Sequence, residues 1–303
     1  MEKKKKKRGD RRDGVRVRNL DAMHVFTPYL LPNRTDNEAF VNETVDATAL
    51  SAFIAEKNAS NPDYKYTIFH AVTAAIAKTV YQRPKLNRFI QGRRLYERNE
   101  LLLAFVAKRI FSDDGDEALL LVNCDGDTTI DSLHDTICSR VSKSRKEGSV
   151  DDTTKIMNVL AKLPRFLLRF IVWVLNVLEY HDLLPDFLRY ADPYHSTVFI
   201  SNLGSIKLNA AYHHLTNWGT NSLFLVVGEK HMETVAGPDG TPRVTEVLPL
   251  GITLDERIAD GYYYAKSVKL LKYLLEHPQL LDQPCSVPVE MEEKRTAEFA
   301  AHK

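Results

Sequence analysis

Apolar positions along the chain alternate between two periods, and the alternation marks out the elements. In "YTIFHAVTAAIAKTVYQRP", Ile68, Ala71, Val72, Ala75, Ile76 and Val80 fall on one helical face, and Pro84 closes a long, mostly buried helix. "DSLHDTICSRVSKSRKEG" is an amphipathic helix with Leu133, Ile137 and Val141 as its stripe and Gly148 past its end. A last helix, "YYYAKSVKLLKYLLEHPQLL", repeats Ala265, Val268, Leu271 and Leu275 at helical spacing. Period two appears in "VRVRNL", in the hairpin "RFIQGRRLYERN" with Gly92 at its turn, and in "LLLAFVAKRI" and "EALLLVNC" around the polar turn "FSDDGD". "STVFISNLG", "NSLFLVVGEKHMETV" and "RVTEVLPLGITLDERIADG" are strand-like too, and "AFVNETVDATALSAFIAEKN" carries a strand into a helix. Strands and helices mix without a regular βαβ beat, which predicts an α+β fold with a mixed sheet and helices on its faces.

Residues 154–190 break this pattern. "KIMNVLAKLPRFLLRFIVWVLNVLEYHDLLPDFLRY" is dense in large apolar groups, broken by Pro164 and Pro185 and interrupted by Arg165, Arg169, Asn176 and Glu179. A spanning helix needs about 20 mostly apolar residues in a row; the uncharged run Phe170–Leu178 is far shorter. The pattern predicts a helical hairpin whose apolar side packs on the protein or a neighbouring subunit, with contact to a membrane surface as the second reading.

Composition narrows the partners. The net charge is +1, so no global field steers the chain toward nucleic acid or membrane. Cys124, Cys138 and Cys285 fit neither a disulfide framework nor a metal motif, which places the protein in a reducing cytosol. The histidines lack zinc-type spacing. Gly-rich phosphate loops are absent, and "GPDG" at 237–240 reads as a hairpin turn. The basic run "MEKKKKKRGDRRDG" at 1–14 lacks the apolar stretch of a signal peptide and reads as a solvated tail; residues 283–303 read as a mobile C-terminal tail.

"ISNLG", followed some fifty residues later by "DERIADG", resembles the catalytic domain shared by the dihydrolipoyl acyltransferases of 2-oxoacid dehydrogenase complexes and by chloramphenicol acetyltransferase. That family carries His-x-x-x-Asp-Gly before a C-terminal helix and a Ser-x-Leu-Gly strand upstream. "RPKLN" at 83–87 and "NRTDNEAFVNETVDATAL" are similar to further family segments. The likeness runs over residues 15–282, with 154–190 as an insertion. It implies a two-layer sandwich and a homotrimer with the active site in a channel between subunits, where coenzyme A or its acyl form meets an acyl acceptor. In some members trimers build larger cubic cores. The chain departs from the family in two ways. Nothing in it resembles a lipoyl domain, and the histidine position is Glu256.

The resemblance assigns oxyanion stabilisation to Ser201 and the base to the position of Glu256. Reference pKa values of about 4.3 for Glu and 8.5 for a thiol make proton transfer to Glu256 uphill by on the order of 5–6 kcal/mol, unless burial narrows the gap. Glu256 as a mere partner of Arg257 is the competing reading. Asp260 is expected to pair with Arg34 and fix the loop bearing the base. His213 and His214 are alternative bases; in a strand only one of two neighbours faces the channel. His70 and His195 read as structural. The function that follows is acyl transfer from a coenzyme A thioester with an altered base, and the alternative is a non-catalytic trimeric scaffold.

Overall fold

The computed structural model describes residues 7–108, 117–146, 160–237 and 240–291. A short strand β1 (Gly14–Arg16) and helix α1 (Ala22–Leu30) lead into β2 (Glu38–Asp46), α2 (Thr48–Ala59) and α3 (Ile68–Gln82). The hairpin β3 (Arg88–Gln91) and β4 (Arg94–Arg98) precedes β5 (Leu101–Lys108), β6 (Glu117–Cys124) and α4 (Ile130–Lys146). Helices α5 (Arg165–Tyr180) and α6 (Asp186–Ala191) come next, then β7 (Val198–Asn202), β8 (Leu223–Val227), β9 (His231–Ala236), β10 (Pro242–Asp255) and α7 (Gly261–Glu276).

The main sheet runs β2-β10-β8-β7-β5-β6, with β9 on the first half of β10. β5, β7 and β8 are mutually parallel and the remaining pairs are antiparallel. The sheet is therefore mixed and helix-covered, as the periodicity predicts. A small second sheet, β1-β4-β3, turns at Gly92 and Arg93, both with positive φ (55° and 59°) as a two-residue hairpin loop requires. The core lies between the sheet and helices α2, α3, α4 and α7. Helix α3 is buried on all sides from His70 to Val80 rather than along one stripe. On α7 the buried stripe is Tyr264, Ser267, Leu270, Leu271, Leu274 and Leu275, and Ala265 is exposed.

The described parts of the two expected tails, residues 7–14 and 283–291, belong to the fold. Arg11 is 5% exposed; its guanidinium donates to the Glu179 carboxylate (2.8 Å) and to the Glu179 carbonyl (2.9 Å). Arg12 binds Asp186 and the carbonyls of Asp182 and Leu184. A charge run looks solvated when its counter-charges lie about 170 residues away; here the α5–α6 corner supplies them. At the other end, Cys285 N–H donates to the Thr128 carbonyl and Ser286 N–H to that of Gly126. The buried Lys78 ammonium (1% exposed) donates to the carbonyls of Leu280, Gln283 and Pro284. Residues 283–291 are thus a strap over α3, held by backbone groups that hydropathy cannot register. The outermost tail residues, 1–6 and 292–303, the "FSDDGD" turn and the start of the 154–190 segment lie outside the described residues, as does Gly148.

Candidate functional site

The end of β7 places a polar side chain beside an apolar cluster on one face of the sheet. Along β7, Val198 and Ile200 enter the main core, while Phe199 joins a second cluster with Ala104, Leu215, Phe224 and Val226. Period two then puts Ser201 on the Phe199 side, at the end of the strand. A cavity of about 890 Å³ opens there, lined among others by Ser201, Asn202, Tyr194, His213 and Phe224. Phe224 stacks on Phe199 (centroids 4.9 Å) and on the His213 ring (4.0 Å, 7° between planes). Among the described residues, the Ser201 hydroxyl has no hydrogen-bond partner.

His213 is not in a strand, so alternation of faces does not apply to the histidine pair; residues 207–216 are irregular. Two glycines fix their course. A Cβ on Gly228 would meet the Ala210 nitrogen at 2.2 Å, and one on Gly251 would meet the Ala211 carbonyl oxygen at 2.2 Å, so the segment lies directly on the sheet backbone. His213 Nδ1 lies 2.9 Å from the His214 carbonyl oxygen. A carbonyl only accepts, so Nδ1 carries the proton and the neutral ring keeps its lone pair on Nε2. His213 and His214 are both exposed, and among the described residues the His214 ring touches only the His213 ring, edge-on (4.7 Å).

The same cavity is lined by His70 and Cys138, and His134 packs beside both. Cys138 Sγ is 3.5 Å from His134 Nε2 and 3.9 Å from His70 Nε2. The trio resembles a ligand set, which the sequence spacing does not suggest. Its hydrogen bonds do not fit a metal. His70 Nδ1 accepts the Thr67 backbone N–H (3.1 Å), leaving the neutral ring protonated at Nε2, and His134 Nε2 donates to the Tyr64 carbonyl (2.9 Å). Both nitrogens facing the sulfur therefore hold protons rather than lone pairs. Burial, aided by His134, lowers the His70 pKa to about 4, and burial pushes the Cys138 thiol up. His70 is a neutral capping residue of α3, so its expected structural role is what the geometry supplies.

The expected Arg34–Asp260 pair does not form. Asp260 is exposed and caps α7, accepting the Tyr263 N–H (2.8 Å). Arg34 instead lies beside Asp255, with Nε 3.6 Å from its carboxylate, and donates to the carbonyls of Thr216, Ile90 and Gly219. Asp255, fully buried, holds Arg257 through two short bonds (2.8 and 2.7 Å), and Arg257 reaches the carbonyls of Leu31 and Pro32. Burial lowers the Arg34 pKa to about 10, with Asp255 opposing the shift. Arg257 thus pairs with Asp255, not with Glu256. Glu256 is exposed, and its N–H donates to the Asn37 carbonyl (2.9 Å).

The register separates Glu256 from Ser201 within one chain. Ser201 lies opposite Val226, and Val226 opposite Gly251. Glu256 is five residues further on, about 16 Å along the strand and about 10 Å across two strand spacings.

No family model matches the chain, and no curated protein matches its sequence. Solved structures do. A probable dihydrolipoamide acetyltransferase from Listeria monocytogenes superposes with a TM-score of 0.57 at 18% identity, covering 87% of this chain and 95% of its own. The dihydrolipoamide acetyltransferase of Azotobacter vinelandii gives 0.58 at 17% identity, covering 88% and 93%. The cubic core of a pyruvate dehydrogenase multienzyme complex gives 0.52 at 17%, covering 88% and 93%. The fold is that of the dihydrolipoamide acetyltransferase catalytic core. Against that fold, Asp255 and the gathering of His134 and Cys138 beside His70 are what sequence reasoning missed. The Asp-x-Arg spacing beside Glu256 was the available signal for the first; the second joins two helices and has none.

Proposed function

We propose that the cavity is an acyl-transfer site that takes the acyl group of a coenzyme A thioester to a thiol or hydroxyl acceptor, with His213 as the base and Ser201 as the oxyanion donor. The observation that carries this reading is the sharing of one cavity by the unpartnered Ser201 hydroxyl and a histidine whose Nδ1–H is already engaged. In the reaction His213 Nε2 removes the acceptor's proton as the acceptor attacks the thioester carbonyl. Ser201 donates to the resulting oxyanion, and collapse expels the coenzyme A thiolate, which takes up the proton. Imidazole lies about 2 pKa units below a thiol, against about 4 for a carboxyl, which favours His213 over Glu256. The likeness to dihydrolipoamide acetyltransferases supports the thioester donor, and 890 Å³ is in the range of small-molecule sites.

A second reading keeps Glu256. It is exposed and can meet Ser201 only across a boundary between copies, as in a homotrimer; the likeness to a cubic core supports such an assembly. Thiol release from acetyl-coenzyme A with dihydrolipoamide as acceptor separates the two. With His213 as base, His213→Gln lowers turnover by about 10²–10⁴ and Glu256→Gln leaves it near wild type. The reverse pattern assigns the base to Glu256 of a neighbouring copy. A wild type with no turnover on any thioester tried supports the non-catalytic scaffold instead.

A further inference from the structure

Helix α5 contains eleven large aliphatic or aromatic residues between Phe166 and Leu178, and none is buried; its one buried residue is Glu179. Phe166 (77% exposed), Phe170 (58%), Trp173 (61%), Val177 (39%) and Tyr180 (51%) follow one another at steps of four, three, four and three. They form one stripe about 21 Å long. Past the helix, Leu183, Phe187 and Tyr190 are exposed as well. At 100° per residue, Arg165, Arg169 and Asn176 occupy the adjoining sector, and all three are exposed, as is Lys162 just before the helix. The stripe has a cationic rail along one edge.

A second basic element converges on the same helix. The sequence runs Lys3–Arg8 as five lysines and an arginine. Arg11 and Arg12, just beyond, are tied to Glu179, Asp182 and Asp186. Lys7 and Arg8 are exposed, a few residues before these anchors at the C-terminal end of α5.

We propose that α5 docks on an anionic lipid bilayer surface, its Phe166–Tyr180 stripe seated at the headgroup boundary and Arg165, Arg169, Lys7 and Arg8 on lipid phosphates. An aromatic-rich apolar face with arginines at its edge suits the interface, and lasting attachment takes two signals, here the stripe and the polybasic run. Among the described residues no helix is long and apolar enough to cross a membrane, so α5 lies on the surface. A second copy is the weaker occupant. The helix's sole carboxylate, Glu179, is buried against Arg11, so two α5 helices face to face would bring arginines together with no carboxylate from either.

Flotation of the full chain with vesicles of phosphatidylcholine plus phosphatidylserine, or of phosphatidylcholine alone, tests this. The chain is expected to float with the anionic vesicles and to lose binding as salt rises. Trp173 emission in the wild type should shift to the blue and be quenched by brominated lipid. The double variant F170E/W173E should cut the bound fraction about tenfold or more, and R165E/R169E should weaken binding to anionic vesicles selectively. The proposal is overturned if the wild type stays at the bottom with its tryptophan emission unchanged, or if F170E/W173E floats like the wild type. It is also overturned if that variant breaks up an oligomer of a chain that does not bind lipid, which would assign the stripe to a second copy.

Discussion

Replacing Asp255 and replacing Asp260 should have very different costs, although both are acidic residues of one short motif. Asp255 is fully buried between two guanidiniums, bonded to Arg257 at 2.8 and 2.7 Å and 3.6 Å from Arg34 Nε. Asp255→Ala leaves two buried cations, 3% and 5% exposed, without their carboxylate. Breaking a buried ion pair on one side costs about 3–5 kcal/mol, chiefly from the charge left behind. Asp260 is exposed and gives α7 one N-cap hydrogen bond, so Asp260→Ala should cost about 1 kcal/mol. At roughly 2–4 °C per kcal/mol for a chain of this size, the Asp255 variant should melt about 6–20 °C below wild type and the Asp260 variant about 2–4 °C below. Thermal melts followed by circular dichroism at neutral pH read the difference. Equal shifts, or a larger one for Asp260→Ala, would refute Asp255 as the anchor. Asp255→Asn refines the test: it keeps the volume and one acceptor but not the charge, so it should melt close to the alanine variant if charge dominates and close to wild type if packing and hydrogen bonding do.

Two further outcomes follow from the buried His70 ring and the buried Lys78 ammonium. His70 has its pKa lowered from 6.5 to about 4 in the folded chain, so folding favours the neutral ring; that contribution is complete above about pH 6.5 and is lost as pH falls toward 4, about 3 kcal/mol in all. The melting temperature of wild type should therefore fall more steeply over that window than that of His70→Gln, which can keep the Thr67 cap without titrating, and parallel curves would contradict it. Lys78→Met should free the 283–291 strap by removing the donor to three carbonyls, seen as faster proteolysis at the C-terminal end than in wild type, and an unchanged cleavage rate would show that the strap holds without it.

Legibility in the sequence followed the kind of force involved. Apolar periodicity reports which face of an element meets the core, so α3, α4, α7 and the strands of the main sheet are readable from it. The "SNLG" and "DG" pairs fall where the resemblance puts them, at the end of β7 and the start of α7. What escaped depends on contacts between distant polar groups. Arg11 looks solvated until Glu179 is brought to it across 168 residues. Cys138 and His134 are one helical turn apart on α4, but His70 joins them only because α3 packs on α4. The pairing of Arg34 went to the wrong aspartate for a related reason. Sequence order cannot tell a carboxylate at the buried end of a strand from one at the exposed cap of the next helix.

That same distinction explains why "LDERIADG" keeps its frame around a glutamate. Each flanking residue does a job that requires no base. Asp255 holds Arg257 and neighbours Arg34, and through their carbonyl bonds it ties residues 31 and 32 and the 216–219 loop to the end of β10. Its own carbonyl accepts the Tyr264 hydroxyl at 2.7 Å, which fixes α7 against the strand. Ile258 and Ala259 are core residues, and Asp260 starts the helix. Position 256 is different. Its backbone N–H is bonded to Asn37 whatever the side chain, and the side chain faces solvent. A change there leaves each of these contacts intact, so the fold does not dictate which residue it carries. The motif is a structural clasp with one free position. On the reading proposed above, a chain of this fold can change its base at that position without changing its shape, provided another group lining the Ser201 cavity accepts the proton, the role we propose for His213 Nε2.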